Sequence, residues 1–292
     1  MNTDILFLII MLIVFLTAMI ASLWILCAKR HKGGIPQAYL VAAVSEIGRR
    51  EEQQDAVWFS GMQEQLPYVR IQAEDDCLAV VADGMGGLKN GGVISHMIAK
   101  GMQDAFFSPD RPKEPVPFLQ NALWKVNQCV NAYLDTCGNE NGGSTIITAY
   151  LYDGRLYFLS VGDSRIYLVH ENHISKLNIE HTFGNELDDL AMRGVISKEE
   201  AQQNRQRAAL TSYVGMGDIT KVDGNVEPIP LEKGDMVLLM SDGVFGTISE
   251  KELLACAKEK NITDTTARIK EAVEACGKLK QDNYSVIAIH VL

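Results

Sequence analysis

Aspartates border several apolar stretches of strand length in this 292-residue chain. Asp83, Asp163 and Asp242 each end such a stretch, and Asp282 precedes the last one. A single Asp-Gly pair is most often a turn. Carboxylates at the ends of several rigid strands can instead converge on a hard cation, and Mg²⁺ and Mn²⁺ prefer carboxylate and water oxygens. The pattern therefore predicts a divalent metal site, at which a water could be activated to attack a phosphoryl group.

The residues around these aspartates favour magnesium or manganese over zinc. Histidine and cysteine, which zinc prefers, are absent from these positions. Glycine follows Asp83 and Asp242, and a glycine lets the main chain come close enough for a carbonyl oxygen to reach an ion as well.

A charged segment, Gly48–Asp55, supplies an arginine that could meet the substrate. Arg50 lies shortly before Asp55 in this segment. A guanidinium suits a phosphate because its planar fork can donate two parallel hydrogen bonds. The alternative interpretation is a solvated run of charges, and the segment taken alone does not decide between the two.

The elements that must position these side chains are short strands in adjacent runs. Turn sequences such as Asp153-Gly154 and Glu171-Asn172 separate neighbouring strands and indicate hairpins. Apolar stretches rich in β-branched or aromatic residues predict strands at Tyr39–Val44, Ala56–Phe59, Cys77–Ala82, Ser144–Leu151, Leu156–Val161, Ile166–Val169, Met236–Met240 and Tyr284–Val291.

Helices are predicted in pairs. Apolar residues recur at helical spacing from Ile94 to Ala105 and from Leu119 to Tyr133. Two further helices are predicted at Glu250–Lys260, with Ser249 and Glu252 as a capping box, and at Thr263–Gly277. Strands in hairpins and helices in pairs favour an α+β fold, in which helices cover antiparallel sheets.

The stretch Ile5–Ala28 carries no charge and, at about 1.5 Å per residue, is long enough as a helix to cross a hydrocarbon core of about 30 Å. A cleaved signal peptide and a buried core helix are the alternatives. A signal peptide is disfavoured because Asp4 precedes the stretch and Lys29, Arg30 and Lys32 follow it. By the positive-inside rule, the chain from residue 29 onward is expected inside the cell.

The expected organisation follows from this anchor. It comprises a short extracytoplasmic N-terminus at 1–4, a transmembrane helix at 5–28, a basic juxtamembrane linker at 29–37 and one folded domain at 38–292.

Composition excludes several classes of protein. The net charge of −10 and the pI of about 5.1 argue against a general affinity for nucleic acid. The 6 cysteines form no C-x-x-C pair and no dense framework, so a disulfide scaffold and a structural zinc site are disfavoured. Reduced thiols agree with a cytoplasmic domain.

Taken in order, the motifs resemble the metal-dependent protein serine/threonine phosphatases of type 2C, in their bacterial form. The resemblance covers about residues 38–292 and implies a four-layer α-β-β-α sandwich of two antiparallel sheets. The motifs are Arg50-x-x-Gln53-Gln54-Asp55, Val81-Ala82-Asp83-Gly84-Met85-Gly86-Gly87, Gly143-Ser144-Thr145, Gly162-Asp163-Ser164-Arg165-Ile166-Tyr167, Ser241-Asp242-Gly243 and Asp282-Asn283.

The resemblance also implies roles for the metal ligands. Asp83 would bridge two core Mn²⁺ or Mg²⁺ ions, and the carbonyl of Gly84 would contact the second ion. Asp242 and Asp282 would hold the first ion. Asp163 corresponds to the ligand of a third ion found in bacterial members.

The remaining roles concern the second ion and the substrate. Asp55 would bind the second ion directly or through water, Arg50 would hold the substrate phosphate and Asn283 would orient Asp282. The segment 193–211 resembles the family's flap, a mobile segment beside the active site that influences substrate choice.

Departures from the family pattern leave all the core metal carboxylates in place. Gln53-Gln54 replaces Asn followed by Glu or Gln, which removes one direct carboxylate ligand of some members. Met85 stands where animal members have a histidine proposed as general acid, so the proton donor to the leaving group is unassigned. The other departures are Glu180-His181-Thr182 and Gly91-Gly92-Val93-Ile94-Ser95.

The expected function is a membrane-tethered phosphatase that dephosphorylates Ser/Thr residues of cytoplasmic proteins and opposes a cognate kinase. One alternative is a phosphatase-like binding module without turnover, and another is a phosphatase of a regulatory protein in sigma-factor control. Asp83, Asp242 and Asp282 favour an enzyme, since a binding module has no chemical need for all three.

Overall fold

In the computed structural model, which describes residues 38–66, 68–85, 90–138, 142–258 and 261–292, the strands form two six-stranded antiparallel sheets. The first sheet has the order β3-β1-β12-β11-β7-β8. Its strands are β1 (Ala38–Glu46), β3 (Val69–Gln72), β7 (Arg165–His170), β8 (His173–Lys176), β11 (Met236–Met240) and β12 (Tyr284–Val291).

The second sheet has the order β10-β6-β5-β4-β2, and β9 also pairs with β6. Its strands are β2 (Asp55–Phe59), β4 (Cys77–Asp83), β5 (Ile146–Tyr152), β6 (Arg155–Val161), β9 (Asp223–Gly224) and β10 (Ile229–Pro230).

Helices cover the outer face of each sheet. The helices α1 (Gly91–Phe106) and α2 (Pro115–Thr136) pack on the second sheet, and α6 (Glu250–Cys256) and α7 (Ile262–Ala275) pack on the first. Three shorter helices lie in connections: α3 (Phe183–Met192), α4 (Lys198–Gln203) and α5 (Asp242–Phe245).

Three apolar cores separate these four layers. Strand β4 shows why its sequence is apolar throughout: Val81 packs between the two sheets, whereas Val80 on the opposite face packs against α1 and α2. On the other side, Leu238 and Val286 pack against α6 and α7. A strand buried on both faces cannot alternate apolar with polar residues. The predicted α-β-β-α sandwich of antiparallel sheets is confirmed.

The long elements agree closely with the predictions from sequence. Each predicted strand is found, and the strand expected at Ser144–Leu151 begins at Ile146. Asp153 and Gly154 have positive φ, as a two-residue hairpin turn requires, and so does Glu171 in the second hairpin. The capping box of Ser249 is present, but its helix ends at Cys256, which is short of the predicted Lys260.

The predicted transmembrane helix and juxtamembrane linker, residues 5–37, lie outside the described residues. Within those residues, no helix has the length and apolar character needed to cross a membrane.

Replacement of Ser249 by alanine should lower the free energy of unfolding by about 1 kcal/mol, because the first turn of α6 loses its side-chain cap. Ser249→Asp, which can still accept the hydrogen bond from Glu252 N, should keep most of the stability. Urea unfolding followed by circular dichroism measures both. Equal losses in the two variants would show that the cap is not the cause.

Candidate metal centre

The two sheets bring the aspartates to one end of the sandwich. Asp55, the first residue of β2, pairs with Asp83, the last residue of β4. Asp242 follows β11 after one residue, and Asp282 lies just before the antiparallel neighbour β12. Asp163 lies between β6 and β7. Strand register therefore gathers carboxylates that are far apart in the sequence.

Asp83 is fixed through its main chain. Its N–H donates to Thr145 Oγ1 at 3.1 Å, and its carbonyl accepts from Thr145 N at 2.9 Å. Thr145 Oγ1 shares a hydrogen bond of 2.7 Å with Ser164 Oγ, next to Asp163. Burial, and then the charge of Asp55, raise the pKa of Asp83 well above its usual range.

Asp55 carries a buried oxygen that no group of the described residues satisfies. The residue is 2% exposed, and its Oδ2 accepts from Ser241 Oγ at 2.7 Å. Within the described residues, its Oδ1 has no hydrogen-bond partner. Burial raises the pKa of Asp55 to about 6. A buried carboxylate oxygen without a donor is costly unless a cation meets it, so this residue suits a metal ligand.

Like charges also surround Asp163 and Asp242, which are half-buried. Burial, and then the charge of Asp242, raise the pKa of Asp163 to about 7. Burial, and then the charge of Asp282, raise the pKa of Asp242. Carboxylates crowded in this way favour either protons or a divalent ion. The donor set, which consists of oxygens, fits Mg²⁺ or Mn²⁺.

A cation of the protein itself occupies the open side of the cluster. Arg50 Nη2 donates to Asp282 Oδ2 at 2.6 Å, and the two side chains are 49% and 37% exposed. An ion pair this exposed contributes only about 0.2–1 kcal/mol, so a ligand can displace it. Among the described residues, no three His, Cys, Asp or Glu side chains already share the geometry of a metal site.

Asn283 contacts Asp282 through its main chain, because its N–H donates to Asp282 Oδ1 at 2.8 Å. Its side chain instead fastens the loop that carries Arg50. Asn283 Nδ2 donates to Ile47 O at 2.8 Å and to Glu52 O at 3.0 Å, and Asn283 Oδ1 accepts from Gln54 N at 2.9 Å. The residue therefore orients Asp282 through its backbone and holds the arginine loop through its side chain.

Gly84 is required by close main-chain packing. Its N–H donates to Gln54 O at 3.0 Å, and a Cβ here would lie 2.5 Å from Gly91 O. Any larger residue would push the strand end away from α1. Gly86 and Gly87 of the same motif lie outside the described residues.

The departure at Glu180-His181 supports the loop of Asp163. His181 Nδ1 accepts from Gly162 N at 3.1 Å, and burial lowers the pKa of His181, which keeps the ring able to accept. Glu180 accepts from Arg165 Nε at 2.6 Å and from Lys176 Nζ. The acidic residue is therefore held by two cations and does not enter the cluster as a free charge.

A polar network beneath Asp55 was not predicted from the sequence. Ser285 N donates to Ser241 Oγ at 2.9 Å, and Ser285 Oγ shares a hydrogen bond of 2.8 Å with Ser45 Oγ. Gln53 Nε2 donates to Ser45 Oγ at 3.0 Å, and Asp55 N donates to Gln53 Oε1 at 3.1 Å. The only sequence signal is serine in otherwise apolar strands. Gln53 thus links the main chain of Asp55 to Ser45.

The flap-like segment 193–211 includes α4 and is fastened at its second half. Arg207 Nη1 and Nη2 donate to the two carboxylate oxygens of Asp188 at 2.9 and 2.7 Å. The carbonyl of Arg207 also accepts a hydrogen bond from Gly184 N at 2.8 Å. Met192, just before the segment, and Val195, near its start, are 78% and 65% exposed. The apolar side chains at this end are therefore open to a partner.

Comparison with known proteins decides the family. The family model described as protein phosphatase 2C matches residues 47–281, which is most of the chain. The chain belongs to the protein phosphatase 2C family. It is therefore a phosphoprotein phosphatase by class, and the resemblance found in its sequence is confirmed.

Relatives and solved structures of bacterial family members agree with this assignment. The serine/threonine phosphatase stp of Listeria monocytogenes serotype 4b is 30% identical over 196 residues, which cover 66% of this chain and 76% of the relative. The serine/threonine phosphatase of S. agalactiae has the same fold, with a TM-score of 0.73, 22% identity, and coverage of 87% of this chain and 100% of that chain.

A further protein phosphatase 2C structure holds metal. The catalytic domain of the phosphatase PstP was solved in complex with two manganese ions, and it matches with a TM-score of 0.66 and 24% identity over 87% of this chain and 99% of that chain. Dependence on Mn²⁺ or Mg²⁺ is a property of the family.

The raised pKa values predict how pH and metal affect stability. Without metal, the folded state keeps protons on Asp55 and Asp163 up to about pH 6 and 7, whereas the unfolded chain loses them near the ordinary aspartate value. Between about pH 4 and pH 7 the folded state therefore binds more protons than the unfolded chain, so the free energy of unfolding falls as pH rises through this range. Manganese should relieve the repulsion.

Scanning calorimetry at about pH 5 and about pH 8 tests this prediction. The increase in Tm on adding Mn²⁺ should be larger at the higher pH, and Asp83→Asn should reduce it. An equal increase at both pH values would contradict the prediction.

Proposed function

We propose that this chain hydrolyses phosphoserine and phosphothreonine on cytoplasmic proteins, that it does so with Mn²⁺ or Mg²⁺, and that an N-terminal helix tethers it to the cell membrane. The observation that carries the chemical part is the acidic cluster, in which one Asp55 oxygen has no partner among the described residues and an arginine lies at the open side. Family membership and the manganese-bound PstP structure support the same chemistry.

The proposed ligands are Asp83 and the Gly84 carbonyl at the centre, with Asp242 and Asp282 on the first ion and Asp55 on the second. Asp163 is proposed for a third ion. When bound, the ions supply Lewis-acid activation of water and of the phosphoryl oxygens.

The chain's own residues then position the substrate. Arg50 binds the phosphate once its guanidinium leaves Asp282, and the fork geometry orients the phosphoryl group. Asn283 keeps the loop of Arg50 in place, which limits how far the guanidinium can move. Met85 carries no exchangeable proton, so we assign the proton of the leaving group to water.

The proposed anchoring rests on the sequence of residues 5–32. The uncharged stretch Ile5–Ala28 followed by Lys29, Arg30 and Lys32 favours a single-pass helix with the phosphatase domain on the cytoplasmic side. Substrates would then be phosphorylated cytoplasmic proteins, the products of a cognate kinase.

Substitution of Arg50 should separate substrate binding from metal binding. In the full-length chain with Mn²⁺, Arg50→Ala should raise KM for a phosphopeptide about 10- to 100-fold, the range for a hydrogen bond to a charged group. Arg50→Lys should give an intermediate KM because it keeps the charge and loses the fork. Asp83→Asn should abolish turnover.

Metal binding by calorimetry on the same variants supplies the control. Arg50→Ala should bind Mn²⁺ nearly as well as the unaltered chain, and Asp83→Asn should not. If both variants lost metal binding equally, Arg50 would be a structural support of the centre, and its assignment to the phosphate would be wrong.

Protease added to intact cells should leave the phosphatase domain uncut, and a short tag placed before Asp4 should be accessible from outside, because the basic cluster stays inside. Permeabilised cells, in which protease reaches the domain, are the control. Cleavage of the domain in intact cells would refute the proposed orientation.

A further inference from the structure

A cavity is lined by Arg49 and Gln281, the residues that precede Arg50 and Asp282 in the sequence. It has a volume of about 380 Å³ and is formed between the loop after β1 and the C-terminal end of α7. The side chains that matter for its chemistry are Glu46, Ile47, Arg49, Glu274, Lys278 and Tyr284.

The conformation of the loop after β1 places Arg49 in the cavity wall and Arg50 on Asp282. Gly48 has a φ of +64°, and a Cβ on it would lie 2.2 Å from Asp282 O. Arg49 N donates to Gln281 O at 2.8 Å. This contact fixes the loop against the residues before β12. Arg50 then reaches Asp282, while Arg49 lines the cavity.

The acidic groups in the cavity wall already have partners. Glu46 accepts from Lys270 Nζ, and Glu274 accepts from Tyr284 Oη at 3.2 Å. Lys270 Nζ also lies 3.9 Å from Glu274 Oε1. These carboxylates are therefore neutralised within the wall and do not call for a cationic ligand.

The basic groups are less completely satisfied. Lys278 Nζ donates to the carbonyl of Gly246, and it has no carboxylate partner among the described residues. The guanidinium of Arg49 has no hydrogen bond or ion pair to any described residue. A fork of unused donors in a concave wall matches an anion with several oxygens, which is a carboxylate or a phosphate.

We propose that this cavity is a substrate subsite that binds an acidic side chain of the phosphoprotein close to the phosphorylated residue, with Arg49 as the residue that determines this specificity. The inference rests on the proposed function, because Arg50 is taken to hold the phosphate. Side chains two positions apart in an extended peptide lie on one side, about 7 Å from each other. An acidic residue two positions from the phosphoserine can therefore contact Arg49 while the phosphate contacts Arg50. Ile47, which is 42% exposed, offers an apolar contact to the peptide residue between these two side chains.

Matched phosphopeptides test the proposal with the full-length chain and Mn²⁺. The peptides carry one phosphoserine and differ only two positions away on either side, where they have Gln, Glu, Lys or a non-hydrolysable phosphonate analogue of phosphoserine. The measured quantity is the ratio of kcat/KM for each peptide to that for the Gln peptide. Because it is a ratio within one protein, a general loss of stability or activity cancels.

The unaltered chain should prefer the Glu peptide by about fivefold, the upper effect of one exposed ion pair. Arg49→Gln should bring the ratio to one, Arg49→Glu should shift the preference to the Lys peptide, and Arg49→Lys should keep part of the preference for Glu. Arg155→Gln is the matched control, because Arg155 is an exposed arginine at the start of β6, whereas Asp163 of the acidic cluster follows the end of that strand. It should leave the ratio as it is.

The phosphonate arm distinguishes a second phosphate from a carboxylate as the preferred anion. Either preference supports the subsite if it depends on Arg49. Equal rates for the Gln, Glu and phosphonate peptides in the unaltered chain, or a preference that survives Arg49→Gln, would overturn it. Failure of the unaltered chain to hydrolyse any of the peptides with Mn²⁺ would overturn the proposed function instead.

Discussion

Repulsion among buried carboxylates is the constraint on which the rest of this structure depends. Strand register places Asp55 beside Asp83, and the charge of Asp242 also raises the pKa of Asp83. Burial makes each charge costly, and the Oδ1 atom of Asp55 has no protein donor in the described part of the chain. Apolar cores on both faces of the sheets stabilise a fold that holds this unfavourable cluster together. A divalent cation converts the repulsion into binding energy.

The loop between β1 and β2 connects this cluster to the proposed substrate site. Asn283 fastens the loop with three hydrogen bonds, and Gly48 brings its backbone against Asp282. Arg50 consequently pairs with a proposed metal ligand, and Arg49, which has no ion pair to a described residue, lines the adjoining cavity. The proposed roles in metal binding, phosphate binding and recognition of the flanking sequence thus fall to residues of one short segment. Gly48 and Asn283, which are far apart in the sequence, therefore both hold this loop against the residues before β12.

The sequence predicted the long strands, the paired helices and the aspartates, because apolar runs buried on both faces and carboxylates at their ends are local signals. It did not predict the short edge strands β3, β8, β9 and β10, which carry few apolar residues and depend on their neighbours. The serine network under Asp55 and the hydrogen bonds from Asn283 to the arginine loop were not predicted either. They arise from contacts such as that of Ser241 with Ser285, which only strand register creates. The role of Glu180, a departure from the family pattern, could not be predicted from the sequence, because it depends on ion pairs with Arg165 and Lys176.

Anomalous scattering from crystals of the protein grown with Mn²⁺ would test the central claim most directly, because it locates the ions without reference to activity. The account predicts manganese peaks between Asp83, Asp242 and Asp282, with one ion facing Asp55 Oδ1 and with Asp282 released from Arg50. Crystals at saturating Mn²⁺ without a peak in the cluster, and with the Arg50–Asp282 pair intact, would contradict it.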